Sequence, residues 1–387
     1  MKDLPGKAYA VYVTWNATLT FIRSTDEIEC GPRGSMGAVV DLDGDAHEGV
    51  VYSGFEDEDD GRVPWGDANF ERVVFRHAVR PLSTKCWFGG QYGLRSIENA
   101  SLLDVSRCRD TSFMFSNCTD LESLDSSGWD MRSVRDASFM FCECSHLMSP
   151  GVSRWDLRSL EVSYGMFERC SWLTSLDVAG WDLRSLRDAA SMFANCPLLE
   201  SIDVSRWDTG RLLVATGMFD GCRSLANLDV SRWDVGSLRN ASRMFCGCRS
   251  LATLDVSRWD VGSLRNASRM FKGCESLESL DVSGWDVGRL VYASEMFDGC
   301  DSLKQLDASR WDVRQLRWAD GMFWGCPSLE SLDVSRWDAR SLEHDQGMFG
   351  NCRQPAKPDV PLGSGGPAGI APPRAARLTD DNDRGVR

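Results

Sequence analysis

The chain has 387 residues, a formal net charge of −14 and 26% charged residues. That balance argues against a nucleic-acid partner held through a basic surface. No apolar run reaches the roughly 18 residues a membrane helix needs, and the first residues, MKDLPGKAYAVYVTW, lack the long apolar core of a secretory signal. Three readings stay open there: a protein that stays inside, a mature form or fragment, or a misassigned start.

Residues 1–102 do not repeat and read as an N-terminal β-rich cap. Ala8–Val13 and Thr18–Ile22 are β-rich runs separated by Trp15-Asn-Ala, a hairpin pattern. Val39–Val40 and Gly49–Tyr52 flank an acidic turn, and Arg72–Phe75 is a further strand. The stretch Asp41-Leu-Asp-Gly-Asp-Ala-His-Glu48 has the outline of a calcium loop, but Ala46 stands where that loop needs glycine, so an acidic hairpin loop is the expectation. Glu56–Asp60 reads as a solvated acidic run. Such a cap would cover a first coil that otherwise exposes core and strand edges.

From Leu103 to Cys352 the chain repeats every 26 residues. Met-Phe pairs begin at Met114, Met140, Met166, Met192, Met218, Met244, Met270, Met296, Met322 and Met348, and a cysteine follows each methionine by four. Trp-Asp pairs begin at Trp129 and recur to Trp337. A spacing this strict is the signature of a solenoid with one coil per repeat. The first coil is atypical: Cys108 replaces tryptophan, and about five residues are missing before Met114. Pro150 and Gly151 stand where other coils have Leu and Asp.

Within one coil, Leu225, Leu228, Val230, Trp233 and Val235 match L-x-x-L-x-L-x-x-N-x-L with tryptophan at the asparagine position, the leucine-rich-repeat spacing. Leu228 and Val230 alternate with Asn227, Asp229 and Ser231, which predicts a short strand with one face inward and, over stacked coils, one parallel β-sheet face. Leu238, Ala241, Met244, Phe245 and Cys248 recur at steps of three and four, which predicts short helical turns opposite. At roughly 4.8 Å per coil the rod would be about 45–50 Å long.

The invariant columns form the predicted core: Trp207, Trp233, Trp259 and Trp285; Phe219, Phe245 and Phe271; Cys222, Cys248 and Cys274. An exposed tryptophan ladder would stack sugars or bases, but Trp233 falls on an inward position. The cysteines read as small buried hydrophobes, not disulfides, and no histidines accompany them to form a zinc set. The column after Met-Phe, which holds Cys142, Glu168, Ala194, Asp220, Cys246, Lys272, Asp298 and Trp324, is chemically mixed and reads as exposed, with Cys246 more reactive than Cys248.

The candidate binding face is the strand row Asp203, Asp229, Asp255, Asp281 and Asp307, pointing outward one per coil. Like charges about 5 Å apart cost about 1 kcal/mol each even in water. Arg206, Arg232, Arg258 and Arg310 lie three residues on, which suggests an Asp–Arg lattice; backbone amide capping or calcium are the other compensations. No catalytic set is visible: His47, His77, His146 and His344 are scattered, and no glycine-rich phosphate loop follows a strand. No cofactor or metal is implied. Residues 353–387, rich in Pro, Gly, Ala and charge, read as a disordered tail.

The repeat M-F-x-x-C-x-x-L-x-x-L-D-V-S-x-W-D-x-x-x-L resembles that of BspA-type leucine-rich repeat surface proteins, first catalogued in mycoplasma-type lipoproteins. The Ala-Tyr-Ala-Val start, the Thr-Leu-Thr-Phe strand and Cys86-Trp-Phe share the resemblance. It implies display at the cell surface or outside the cell and noncatalytic binding of a protein or surface ligand, as in an adhesin. A structural spacer or intracellular scaffold is the other reading. No lipobox cysteine stands at the start and no sortase-type anchor in the tail.

Overall fold

The computed structural model describes residues 7–13, 16–24, 39–41 and 69–352. The acidic loop after Asp41, the run Glu56–Asp60, the segment Gly49–Tyr52 and the tail 353–387 lie outside the described residues.

The predicted hairpin forms from β1 (Lys7–Val13) and β2 (Thr18–Ser24), paired antiparallel. With β3 (Val39–Asp41), β4 (Arg72–Phe75) and β5 (Ser96–Glu98) they make a sheet of order β3-β1-β2-β4-β5. The pairings β2–β4 and β4–β5 are parallel. That change of sense lets the sheet run on into the solenoid, whose ladder starts at the parallel bridge Val79–Leu103. Coil-type bonding starts earlier than the sequence repeat. Thr84, Cys86, Phe88 and Gly90 donate their amides to Asp110, Ser112, Met114 and Ser116. Trp87-Phe88 therefore occupies the Met-Phe position of a degenerate coil. Phe21 stacks on Trp87 at 5.4 Å and Phe88 on Phe115 at 5.3 Å, so sheet and coils share one core.

Past that point the coils pair through two ladders of parallel bridges, one interrupted and one continuous from Asp110 to His344. One passes through Thr253, Ser279, Gln305 and Ser331, beside the aspartate row; the other through Asn240, Asn266, Tyr292, Trp318 and His344. The strand column is minimal, with only β6 (Ser175–Leu176) and β7 (Ser201–Ile202) pairing over two residues among the described coils.

The Met-Phe side carries turns, but they are not helical. Ala241, Arg243, Phe245 and Gly247 send their N–H groups to the next coil, to the carbonyls of Asn266, Ser268, Met270 and Lys272 at 2.7–2.9 Å. The alternate residues Met244, Cys246 and Cys248 donate three residues back within the coil, to Ala241, Arg243 and Phe245, and close four-residue turns. Two positions per coil adopt positive φ to aim the amides this way, Arg243 at 59° and Gly247 at 70° in this one. A helix would have kept its hydrogen bonds within the segment; here every second amide bridges coils. The left-handed conformation costs a non-glycine residue about 1–2 kcal/mol, and the second position is glycine in five consecutive coils, from Gly221 to Gly325.

The invariant columns stack as continuous spines. Trp233, Trp259 and Trp285 are 3% exposed, with ring centroids 6.3–6.4 Å apart and nearly parallel. Phe245 and Phe271 stack at 5.7 Å. The Trp259 indole Nε1 donates to the Val230 carbonyl at 3.1 Å, and the Cys248 Sγ donates to the Phe219 carbonyl at 3.2 Å. Both donors reach back 29 residues, and the same pair of bonds recurs at Trp233 and Cys222, and at Trp285 and Cys274. The cysteine is thus a donor between coils as well as a small apolar filler. In the atypical first coil Cys108, in place of tryptophan, still donates back, to Pro81. Gly151 is required where it stands: at φ 70° its added Cβ would lie 2.8 Å from the Leu124 carbonyl oxygen and the Ser126 amide nitrogen.

The mixed column after Met-Phe is not an exposed column. Ala194 is 3% and Cys246 8% exposed, while Trp324 is 44% exposed. Burial pushes the Cys246 thiol up to about 11. The turn folds this position half under the neighbouring coils, which side-chain variety alone does not reveal.

Trp259→Ala removes a buried ring and its indole bond to the Val230 carbonyl, which then keeps only the Trp233 amide. A loss of about 3–5 kcal/mol in urea unfolding is expected, and a change under about 1 kcal/mol would contradict the packing. Thiol labelling of the folded chain should find Cys246 slow, like Cys248, with half-buried Cys352 modified before either; fast labelling at Cys246 would overturn its placement.

Candidate functional site

Strand alternation puts Asp203, Asp229, Asp255, Asp281 and Asp307 on the solvent side, and all five are exposed. Each carboxylate is held by the serine two residues on. In the coil of Asp255, Oδ1 accepts from the Ser257 amide at 3.1 Å and from its Oγ at 2.7 Å. The same two bonds form at Asp203–Ser205, Asp229–Ser231, Asp281–Ser283 and Asp307–Ser309. The serine hydroxyl, then the serine amide, hold the Asp203, Asp255 and Asp307 carboxyls below the usual carboxylate range. The Asp–Arg lattice does not form. Arg206, Arg232, Arg258 and Arg310 are exposed on the same face, yet no ion pair joins them to these aspartates among the described residues. The local serine fixes the carboxylate by a two-residue turn, whereas an arginine three residues on would have to give up side-chain freedom in water for a weak exposed pair. Amide and hydroxyl capping thus provides the compensation. The coil of Asp281 has Gly284 where the others have arginine.

A second aspartate row, from the Trp-Asp pairs, flanks the first. At both ends of the solenoid it is neutralised within the coil: Arg132, Arg158, Arg184 and Arg314 reach Asp130, Asp156, Asp182 and Asp312 at 2.5–2.6 Å. In the four central coils the arginine is replaced by Gly210, Gly236, Gly262 and Gly288, whose amides bond the carboxylates of Asp208, Asp234, Asp260 and Asp286 at 3.0–3.2 Å. The centre of the face therefore carries two carboxylates per coil. Sequence reading missed this segmentation and the serine partners; the D-x-S spacing and the Arg/Gly exchange two residues after Trp-Asp are the signals that carried them. Among the described residues no group of three or more His, Cys, Asp or Glu is arranged to hold a metal ion.

Stacked 26-residue coils, a parallel ladder on one side and inter-coil turns on the other define a leucine-rich-repeat-type solenoid. The chain belongs to the family described as Mycoplasma protein of unknown function, DUF285, whose model matches residues 94–176, 164–279 and 248–359. That match agrees with the resemblance to the BspA-type, mycoplasma-type repeat. The chain is similar to a leucine-rich repeat protein from Bacteroides ovatus at 16% identity and a TM-score of 0.41, covering 91% of this chain and 92% of that one. It is also similar to a leucine-rich repeat protein from Eubacterium ventriosum at 11% identity and 0.33, covering 91% and 95%. A leucine-rich cell surface protein from Faecalibacterium prausnitzii matches at 14% and 0.28, covering 87% and 96%. Comparison with curated proteins finds no match. No helix among the described residues is long and apolar enough to cross a membrane.

Because the folded pKa of these aspartates lies below the unfolded value of about 3.9, their contribution is fully present above that value and is lost as pH falls through the folded pKa. The triple variant Ser205→Ala, Ser257→Ala, Ser309→Ala should lower Tm at neutral pH and flatten the decline of Tm below about pH 4. An unchanged acid limb would refute the serine cap as its source.

Proposed function

We propose that the solenoid is a noncatalytic binding module that holds a protein ligand on its aspartate-and-arginine face, as an adhesin-like protein at the cell surface. The observation that supports this is the row itself: carboxylates held in one orientation by Ser205, Ser231, Ser257 and Ser283, beside exposed guanidiniums that form no ion pair among the described residues. Groups already ordered lose little freedom on binding. Extended repeat surfaces suit large partners. In the coils of Asp229, Arg232 and Asp234, and of Asp255, Arg258 and Asp260, two carboxylates face one guanidinium, so a partner surface rich in Lys and Arg is the complementary one. The N-terminal segment, residues 1–102, serves as the cap in this reading. His146 lies against the Thr119 carbonyl and Trp172, and His344 is stacked on Trp318, so both are part of the coil stack in a way that fits a noncatalytic role. A structural spacer is the other use of such a rod.

Protease shaving of intact source cells, followed by identification of the released peptides, should yield peptides from the repeats; recovery only after lysis would remove the surface role. Binding of the whole chain to a panel of immobilised extracellular-matrix proteins should then weaken with added salt. It should also drop by about tenfold or more in Asp229→Asn, Asp255→Asn, Asp281→Asn at unchanged Tm. Surface display with no binder in the panel, or binding indifferent to these changes, would favour the spacer.

A further inference from the structure

The last coils depart from the central ones in two columns at once. Down the second bridge ladder, Asn240 and Asn266 give way to Tyr292, Trp318 and His344. The rings stack, Tyr292 on Trp318 at 4.6 Å and Trp318 on His344 at 5.6 Å. Two residues after the Trp-Asp pairs, Gly236, Gly262 and Gly288 give way to Arg314 and Arg340. Neither exchange is needed for stacking, since the central coils form the same bridge with asparagine and the same amide-to-carboxylate bond with glycine. Between the two raised columns lies a groove of about 580 Å³, lined by both. Its size falls within the ~300–1,000 Å³ of ligand pockets.

The lining is chemically specific. Arg314 is bonded through Nε and Nη2 to Asp312, and Arg340 in the same way to Asp338. Both guanidinium planes are thereby fixed, with Nη1 outside the pair. Glu343 pairs with Arg317 at 3.1 Å. Each of these three arginines is matched by a carboxylate, so the groove is rich in donors and acceptors without net charge. Gln315 and Ser341 add neutral groups, and Leu342 with the ring column supplies apolar wall. Because Trp318 is covered on one face by Tyr292 and on the other by His344, a ligand meets the edge of the ring, its positive side, which favours oxygen atoms. The Trp318 Nε1 is buried with no acceptor among the described residues, a donor left unsatisfied there.

A ligand that fits must offer many uncharged oxygens and a C–H surface on one small rigid ring. We propose that the groove over Tyr292, Trp318, Arg314 and Arg340 binds an uncharged pyranose unit of a glycan. Arg314, Arg340 and Glu343 bond its hydroxyls, the ring edges lie against its oxygens, and Leu342 covers its C–H surface. This site is separate from the aspartate row and stands or falls without it.

The test is saturation-transfer NMR on the whole chain with a panel of methyl glycosides of neutral hexoses and N-acetylhexosamines, and glucuronate as the charged comparison. Two variants, Arg314→Gly with Arg340→Gly, and Trp318→Asn, install residues that neighbouring coils already carry at those places. Their Tm should therefore stay near that of the unaltered chain; Arg340→Gln supplies a third, milder change. At least one neutral glycoside should show transfer, weakened about tenfold or more in each of the first two variants. No transfer from any neutral glycoside, binding of glucuronate alone, or equal binding in variants that keep their Tm would overturn the proposal.

Discussion

Every coil depends on its neighbours to satisfy its backbone. With so little regular strand and no helix on the Met-Phe side, half of the amides of that segment have no partner within their own coil. They are satisfied only because the next coil presents a carbonyl in register, and a buried amide without one is costly. The 26-residue period is therefore enforced by hydrogen bonding as well as by apolar packing. An insertion of one residue within the Met-Phe turn would displace the donors of that turn from their acceptors. The indole and thiol donors strengthen the same constraint: both reach back 29 residues, the Trp259 indole to Val230 and the Cys248 thiol to Phe219, so both depend on the register.

This division explains which columns are free to vary. Tryptophan, phenylalanine, methionine and cysteine each touch two neighbouring coils, so a change in one coil disturbs both of its neighbours. The column of Asn240, Asn266, Tyr292, Trp318 and His344 contributes backbone bridges whatever its side chain is. The position of Gly262 or Arg314 needs only an amide to cap the preceding aspartate. Chemistry can be written onto such positions without cost to stacking.

The repeat, its core columns and the N-terminal hairpin were legible because each is a pattern of apolar residues at fixed spacing, and burial follows from that directly. The turn was not. Apolar residues at steps of three and four fit a helix, but they equally fit a chain whose alternate amides point to a neighbour. The deciding signal was glycine at Gly221, Gly247, Gly273 and Gly299, where a helix would have disfavoured it and a left-handed turn requires it. The aspartate row was found, but its partners were misread because charge balance directed attention to Arg206 and Arg232. The uncharged serine one residue nearer offers a closer and better ordered bond. The buried place of Cys246 was not legible at all, since it depends on how tightly the turn folds under the next coil.

Stability in a solenoid is close to a sum over coils and their contacts, so surface chemistry can differ from one segment to the next without disturbing the whole. The position two residues after Trp-Asp shows this. It is arginine at Arg132, Arg158 and Arg184, glycine from Gly210 to Gly288, and arginine again at Arg314 and Arg340. Each arginine neutralises the carboxylate beside it; each glycine caps it with an amide alone and leaves its charge unpaired. Along the glycine stretch the carboxylates therefore concentrate negative charge on the centre of the face. The exchange between arginine and glycine thus changes the charge of the face by segment and leaves the bridges and the core columns as they are.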